Sequence, residues 1–423
     1  MYATMIACAF ASCSKDDEVI NGGETTGDGK TYLEVQAQAP ATAATKADAT
    51  DASAGINTLT LIVFNGNTIE AIESNTQGQG AISRKVEVTP GAKKVMVLAN
   101  VTLPSTIVKG SALSAVVDLT KDFDATEVDG TLTMNSGLYN ADVKAGKINY
   151  LGYNVSAETA TAYYNPVTYA PAEGVKLYRN VARIHLATVK VKDVLGSGNT
   201  QYPEAELTVK RVFVLNANKT TLLAGTGEEW SANRAASAWL AGLVRGTATW
   251  GTKYSYFDAT SATASMMYEL GTAITAAAPK TVNGAAVDAV DAAINHDFYV
   301  YESAGNQNVA AEAAGANKTL LVVEGDFSYK GANGRVTLAN RYYPLAVGRT
   351  GFDSAYSLPA GFTNLRTANA TTAYDVLRNL QYNITITVKG IGYTTPTGGE
   401  DSQYLDVQCQ VVPFGTVDQE VEI

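Results

Sequence analysis

The chain has 423 residues, of which 46% are hydrophobic and 17% are charged, and its formal net charge is −10. This length exceeds what one hydrophobic core usually organises, so two domains are expected. The acidic balance argues against nucleic acid or an anionic membrane surface as the main partner. The 23 tyrosines and 37 glycines favour many strands joined by tight turns.

The N-terminus predicts export from the cell. Met1–Ser12 is apolar, rich in small residues and too short to span a bilayer as a helix. Cys13 follows, and then the polar run Ser14–Glu18. This arrangement resembles a bacterial lipoprotein signal, in which the cysteine is lipidated, and the acidic run resembles the surface-export signal of Bacteroidetes lipoproteins. No Lys or Arg precedes the apolar run, so we expect the true start to lie upstream.

Alternating apolar residues predict a half-buried strand near each end of the chain. In the first, Thr31–Pro40, the residues on one face are Leu33, Val35, Ala37 and Ala39. In the last, Phe414–Ile423, the residues on one face are Val417, Val421 and Ile423, Phe414 is a further contact, and Gln419 is an awkward polar residue among the inward positions. A chain that can lose its first strand and offer its last to a neighbour is suited to polymerisation.

The body of the chain predicts short strands separated by turn residues. In chain order they are Ile56–Phe64, Arg84–Val88, Lys94–Ala99, Ala141–Tyr153, Tyr163–Tyr169, Val175–Val191, Ala205–Leu215, Asp297–Glu302, Thr319–Phe327, Arg335–Leu345, Asn383–Val388 and Tyr404–Val411. This spacing indicates sandwiches rather than alternating strands and helices. Residues 217–295, rich in Ala, Thr and Gly, are predicted to form an insertion with one short helix over Ser231–Leu243.

Few residues could support catalysis. His185 is interpreted as a structural or surface residue within a strand, and His296 as part of a loop before a strand. Cys409, in an alternating strand, is predicted to be a small buried hydrophobe. Because the sequence has no His cluster, nucleophile elbow or phosphate-binding loop, we predict no metal, no cofactor and no catalytic residues. A glycosidase built on two distant carboxylates is the enzymatic alternative that the sequence leaves open.

Seven stretches together resemble the fimbrillin family of Bacteroidales, the pilins of type V pili. They are Ile56–Asn65 (INTLTLIVFN), Gly91–Asn100 (GAKKVMVLAN), Tyr178–Leu186 (YRNVARIHL), Phe298–Glu302 (FYVYE), Thr319–Gly325 (TLLVVEG), Arg341–Leu345 (RYYPL) and Arg378–Gly392 (RNLQYNITITVKGIG). The last is the most specific, because it is similar to the family's Arg-Asn-x-x-Tyr-x-aliphatic-Thr-aliphatic strand. The resemblance rests on the order and spacing of these stretches and spans nearly the whole chain outside residues 217–295.

The resemblance implies an all-β fold with two transthyretin-like β-sandwich domains in tandem. The domains would cover residues 47–178 and 179–423, with an insertion in the second, after a signal peptide (1–13) and a leader (14–46). It also implies lipidation of Cys13, an outer-membrane lipoprotein precursor, and activation outside the cell by a trypsin-like protease. That protease removes the leader with the first strand, which leaves a hydrophobic groove in the first domain. The C-terminal strand of the next subunit fills this groove.

The partners implied are other copies of the chain in a head-to-tail surface filament and accessory fimbrial subunits. Host or bacterial surface receptors are further candidates. The resemblance implies contact with the outer membrane only through the lipid anchor of the precursor.

The positions of the basic residues select Lys46 as the cleavage site. Before Arg84, the only basic residues are Lys15, Lys30 and Lys46. Cleavage after either of the first two would leave the first predicted strand attached, and cleavage after Arg84 would remove the second one. Only cleavage between Lys46 and Ala47 frees the first strand and spares the rest, in a stretch of small residues that should be accessible.

Two other functions fit the sequence. An accessory or tip fimbrial adhesin needs no donor strand, and it could bind a ligand through the tryptophans of the predicted insertion, Trp230, Trp239 and Trp250. A non-polymerising, glycan-binding surface lipoprotein would keep its N-terminal strand. The alternation at 417–423 favours the shaft pilin over the tip adhesin.

Overall fold

The structure is a computed structural model that describes residues 30–38, 55–76, 82–153, 159–165, 175–192, 201–224, 239–240, 266–303, 319–347, 376–396 and 405–413. Strands account for most of the described residues, and the one α-helix among them is the four-residue α1 (Ser114–Val117). No helix in these ranges has the length and apolar character needed to cross a membrane. The predicted all-β class is therefore confirmed.

Twelve strands precede Asn180. They are β1 (Tyr32–Gln38), β2 (Thr58–Asn65), β3 (Thr68–Thr76), β4 (Ile82–Glu87), β5 (Gly91–Ala99), β6 (Thr120–Asp122), β7 (Met134–Asn135), β8 (Tyr139–Val143), β9 (Ile148–Leu151), β10 (Ala162–Asn165), β11 (Val175–Lys176) and β12 (Tyr178–Arg179).

Thirteen strands follow Asn180 in the described ranges. They are β13 (Val181–Val191), β14 (Glu206–Leu215), β15 (Ala217–Asn218), β16 (Thr220–Leu222), β17 (Trp239–Leu240), β18 (Met267–Ala277), β19 (Lys280–Val282), β20 (Ala285–Val287), β21 (Ala292–Tyr301), β22 (Leu320–Gly331), β23 (Gly334–Ala346), β24 (Leu380–Val388) and β25 (Leu405–Pro413).

The strands before Asn180 form two sheets that share a core. Sheet 1 has the order β10-β9-β1-β11, with β4 also paired to β1, and sheet 2 has the order β12-β7-β5-β2-β3, with β8 also paired to β5. Strand β2 is apolar along most of its length because both of its faces are buried. Leu61 and Val63 pack in the core shared with sheet 1, and Ile62 and Phe64 pack in a second cluster that includes Val116 of α1.

Ten of the thirteen strands after Asn180 form two further sheets, while β19 and β20 pair with each other and β16 pairs with β6. Sheet 3 has the order β17-β15-β21-β13-β24-β25, and sheet 4 has the order β18-β14-β22-β23. Strand β24 shows the alternation expected of a sheet with one buried face, with Ile384, Ile386 and Val388 buried and the residues between them partly exposed. The paired sheets on each side of Asn180 are the layers of the predicted sandwiches. The domain limits 47–178 and 179–423 stay a prediction.

The two halves are joined through buried polar contacts. Strand β6 of the first half pairs with β16 of the second. The fully buried carboxylate of Glu127 accepts hydrogen bonds from the hydroxyl of Tyr301 at 2.9 Å and from Nζ of Lys121 at 2.6 Å. Burial, together with the charge of Glu127 and the hydrogen bond to it, raises the pKa of Tyr301 far above its usual range. The hydroxyl therefore stays protonated and donates to Glu127 across the junction.

Each strand prediction from Ile56–Phe64 through Tyr404–Val411 has an observed counterpart. The segment Ala141–Tyr153 divides into β8 and β9, and Val175–Val191 divides into β11, β12 and β13. Residues 166–169 of the predicted strand Tyr163–Tyr169 lie outside the described residues.

Strand β3 was not predicted, although it forms a hairpin with β2. The turn between them contains Asn65-Gly66, and Gly66 has a φ of 61°. An Asn-Gly pair between two strands is a strong hairpin signal, so β3 could have been found from the sequence.

The predicted insertion at 217–295 is too long. Strand β18 lies inside that range and pairs with β14 from Glu206↔Ala277 to Phe213↔Met267, so it is part of sheet 4. Its sequence MYELGTAITAA contains three alanines and a glycine, residues that are depleted in strands, and pairing with a neighbour stabilises it. The predicted helix over Ser231–Leu243 is wrong at its two described residues, which form strand β17.

Candidate functional site

Strand β1 lies inside sheet 1, with neighbours on both sides. On one side β4 pairs with it in the antiparallel sense from Tyr32↔Glu87 to Ala37↔Ile82. On the other side β9 pairs in parallel over Tyr32 to Val35, and β11 continues in parallel at Ala37 and Gln38. Removing β1 would therefore leave two facing rows of unpaired backbone groups, a strong template for another strand.

The inward side chains of β1 belong to the core of the first half. Leu33 is 0% exposed and Val35 is 1% exposed. They share a cluster with Val86 of β4, Leu151 of β9 and residues of sheet 2. Burying two such side chains contributes roughly 3–6 kcal/mol. A chain without β1 would lose this stabilisation and would expose an apolar groove.

One end of β1 is fixed by polar contacts. Thr31, 6% exposed, accepts a hydrogen bond at Oγ1 from the backbone N–H of Gly146 at 3.0 Å. Its carbonyl oxygen accepts from the N–H of Val88 at 3.0 Å. The carbonyl of Tyr32 accepts from Nδ2 of Asn149 at 3.0 Å. The groove thus contains one polar position, at residue 31, beside the apolar positions 33 and 35.

The outward face of β1 meets tyrosines and a lysine. The Tyr153 hydroxyl donates a hydrogen bond to the Glu34 carboxylate. The ring of Tyr150 stacks on that of Tyr164, with centroids 4.9 Å apart. Burial raises the pKa of Tyr150, and the charge of Glu34 adds to the rise. Nζ of Lys85 lies 4.6 Å from the ring centroid of Tyr32. The outward face of β1 therefore has a carboxylate bonded to a hydroxyl donor at Glu34 and a ring beside a cation at Tyr32.

The connection from β1 to β2 joins two different sheets, since β1 is in sheet 1 and β2 is in sheet 2. The predicted cleavage residues Lys46 and Ala47 are in this connection and lie outside the described residues, as do Ala39 and the predicted lipidation site Cys13. The predicted first strand itself is confirmed as β1. Cleavage in the connection would leave β1 attached to the molecule only by non-covalent contacts.

The predicted donor segment follows directly after β25. Strand β25 pairs with β24 from Leu380↔Pro413 to Val388↔Leu405 and ends the order of sheet 3. The donor residues Phe414, Val417, Val421 and Ile423 lie outside the described residues. Their assignment stays a prediction, as does the burial of Cys409. In the chain, the donor residues directly follow β25, which is an edge strand of sheet 3.

The histidines have structural surroundings. Nδ1 of His185 lies 2.6 Å from Oδ1 of Asp297. His296 is in β21 and not in a loop, and its ring stacks on Tyr268 with centroids 3.9 Å apart. Asn295 has a φ of 46° and the register of β13 with β21 shifts nearby, so a β-bulge gives this strand a loop-like sequence. Burial lowers the pKa of His296, which keeps its ring neutral.

Within the described ranges, no group of three or more His, Cys, Asp or Glu side chains could hold a metal ion. The carboxylates of the first half are instead held by structural partners. Burial alone would raise the pKa of Glu70, but hydrogen bonds from Lys93 and Thr89 lower it. The candidate functional site is therefore the groove that β1 occupies in sheet 1.

Comparison with known proteins finds similarity to the family that the sequence motifs resemble. Residues 31–179 match the family model described as major fimbrial subunit protein (FimA). The chain is 24% identical to the major fimbrium subunit FimA type-5 of Porphyromonas gingivalis over 437 residues, covering 98% of this chain and 96% of that protein.

Solved structures show the same fold. A Parabacteroides distasonis protein named for a suggested role in cell adhesion has a TM-score of 0.58 and 23% identity, covering 91% of this chain and 99% of its own. A fimbrilin of Porphyromonas gingivalis has a TM-score of 0.55 and 20% identity, covering 92% of this chain and 98% of its own. These matches confirm the predicted resemblance of the chain to the fimbrillin family of Bacteroidales.

Proposed function

We propose that this chain is a structural subunit of a cell-surface fimbria and that it polymerises by strand exchange. The comparisons support a fimbrial subunit. In the proposed exchange, β1 leaves the first half of one copy and the segment 414–423 of the next copy takes its place. The observation that carries the proposal is the central position of β1, paired on both sides and buried at Leu33 and Val35.

The energetics favour a durable joint. A sheet without its central strand exposes apolar side chains and unpaired backbone groups, and both are costly. A donated strand restores the backbone hydrogen bonds and fills the groove with alternate side chains. Burying Val421 and Ile423 contributes roughly 3–6 kcal/mol before entropy costs, and Val417 and Phe414 precede them on the donor segment. Because the donor and the groove are at different places on the subunit, repetition builds a filament rather than a closed pair.

Export and activation complete the proposal. Cys13 is the lipidated residue of an outer-membrane lipoprotein precursor, and cleavage between Lys46 and Ala47 releases the leader with β1. The mature protein then belongs to the fimbria on the cell surface. Its partners are other copies of itself, accessory fimbrial subunits, and host or bacterial surface receptors. This role is structural and needs no enzymatic activity.

Deleting residues 414–423 tests the donor role. After trimming with trypsin, we expect the truncated protein to form no polymer ladder on denaturing gels and no filaments by electron microscopy. Because its groove is intact, it should still accept a donor and shorten filaments when mixed with the full-length protein. The full-length protein with the exposed substitution Lys330→Gln, trimmed in the same way, is the control and should polymerise normally.

Polymerisation of the truncated protein at the control rate would overturn the donor assignment. An accessory or tip subunit gives another pattern, since neither the truncated nor the full-length chain would extend by itself. Both would then bind only at the ends of filaments built from another subunit. A non-polymerising lipoprotein would keep residues before Lys46 in its native surface form, which mass spectrometry detects.

A further inference from the structure

We propose that residues Gln419–Ile423 of a second copy replace Thr31–Val35 in the same direction and in one register. Glu422 would then take the place of Glu34, and Gln419 that of Thr31. This inference rests on the proposed strand exchange and specifies its alignment. It is argued from the five positions that β1 occupies in the groove.

The apolar positions fix the first part of the register. Leu33 and Val35, with Glu34 between them, occupy the two apolar sites at 0% and 1% exposure. The segment Val421-Glu422-Ile423 repeats this apolar-Glu-apolar order. Because strand side chains alternate between faces, Val421 and Ile423 enter the core when Glu422 faces outward.

The polar position of the groove then receives a polar residue. Thr31 lies two residues before Leu33, is nearly buried, and accepts a hydrogen bond from Gly146 N–H at 3.0 Å. Gln419 lies two residues before Val421. Its carboxamide oxygen can accept the same N–H. Gln419 was the residue that fitted the donor strand poorly when only its alternation was considered, and this register accounts for it.

The outward positions are also complementary in charge. Glu422 would present a carboxylate where the Glu34 carboxylate accepts a hydrogen bond from Tyr153. Glu420 would occupy the position of Tyr32, whose ring lies under the ammonium group of Lys85. Glu420 would thus replace a cation–π contact with a carboxylate that attracts Lys85 and lies directly opposite Glu87, a like charge. The complementarity in charge therefore rests on Lys85, which is directly opposite position 34.

Other alignments lose these matches. If the donor moved two residues toward the C-terminal end of β1, Gln419 would lie in the apolar site of Leu33. An unpaired amide buried there is costly. A shift by two the other way would put Val421 in the polar site of Thr31, where the N–H of Gly146 would lose its acceptor. A reversed strand that keeps Glu422 at position 34 would put Gln419 at Ala37, which lies between Ile82 and Val175. Among these alignments, the parallel register alone matches the residue type at four of the five positions, and position 32 is the exception, where Glu420 replaces Tyr32.

Cysteine pairs between strands test this register in the full, trypsin-trimmed polymer. Glu34 pairs with Lys85 of β4, Tyr32 with Glu87, and Gln36 with Ser83. In a Cys409→Ser background, we expect Glu422→Cys to cross-link with Lys85→Cys under mild oxidation. Glu420→Cys should cross-link with Glu87→Cys and at least fivefold less with Ser83→Cys, because directly opposed residues are closest. Reducible ladders on denaturing gels measure each yield.

The outcomes separate the register from the exchange itself. A polymer in which Glu420→Cys prefers Ser83→Cys would show the reversed strand and overturn the register while leaving the exchange intact. A polymer whose two expected pairs both fail to cross-link would likewise overturn the register. If the Cys409→Ser parent forms no polymer after trimming, the strand exchange is wrong and the register with it. The two expected pairs report independently, so one variant that fails to assemble leaves the other as the test.

Discussion

A Lys46→Gln variant is expected to remain monomeric under trypsin doses that convert the unchanged protein into polymer. Without cleavage, β1 stays joined to β2 and is held beside its own groove. A strand tethered in this way has an effective concentration of about millimolar, whereas a donor from another copy is present at micromolar concentration in dilute solution. The tethered strand therefore keeps the groove, and we expect polymer yield to fall more than tenfold.

Two matched variants control for charge and for protease specificity. Lys30→Gln removes a basic residue before β1 and, apart from the exposed ion pair of Lys30 with Glu87, leaves the groove unchanged, so it should polymerise normally. Lys46→Arg keeps a trypsin site and should also polymerise. Electrophoresis and mass spectrometry of the new N-terminus measure both results. Normal polymerisation of Lys46→Gln with its leader still attached would show that β1 does not block the groove.

An Arg378→Met variant is expected to lose about 3–5 kcal/mol of free energy of unfolding, because it leaves a buried carboxylate without its partner. Arg378 and Glu302 form an ion pair in which both side chains are 1% exposed. Arg378 also donates to Oγ1 of Thr221 at 2.7 Å and to Oδ1 of Asn180 at 3.2 Å. Denaturant unfolding followed by tryptophan fluorescence measures the change.

An exposed ion pair provides the control. Lys190 and Asp291 are 3.1 Å apart with side chains 45% exposed, so Lys190→Met should cost no more than about 1 kcal/mol. Adding Glu302→Leu to Arg378→Met removes both buried charges, and the double variant should be more stable than Arg378→Met alone. A cost for Arg378→Met as small as that of Lys190→Met would contradict the role assigned to this pair.

The position of Arg378 gives this pair a consequence for the filament. Arg378 lies just before β24, the strand that pairs with β25, which precedes the donor segment. Its contacts reach Asn180 and Thr221, and Asn180 in turn donates to Thr133 of the first half at 3.3 Å. The sheet that precedes the proposed donor segment is thereby connected to the half that contains the proposed groove. A subunit joined at both places can transmit tension along a filament.

The sequence predicted the all-β fold class and strand β1 well, because both depend on the local alternation of apolar and polar residues. The pattern of Leu33 and Val35 sufficed to place β1, and the apolar run of Ile56–Phe64 sufficed to place β2. The sequence also predicted a resemblance to the fimbrillins from motifs such as Arg378–Gly392. Arg378 itself is one of the largest fully buried side chains of the described chain, which explains why that motif begins with an arginine.

The central position of β1 could not be predicted from its own residues. Its neighbours β4, β9 and β11 come from later parts of the chain, and two of them are only two to four residues long. Long-range pairing of this kind leaves little local signal. Strand β18 was missed for a related reason, since its alanines and its glycine have low strand propensity and are held in the strand by pairing with β14. The polar site at Thr31 was likewise evident only from its contact with Gly146.

A synthetic peptide of residues Thr31–Pro40 tests the central claim most directly, because it asks whether the trimmed subunit has a groove that accepts a strand. We expect the peptide to bind the trimmed protein and, in excess, to reduce polymer yield at least fivefold. A peptide with Leu33→Asp and Val35→Asp, which cannot fill the apolar sites, should have neither effect. If the trimmed protein binds neither peptide and its polymerisation is unchanged, the removal of β1 does not create the groove on which this account depends.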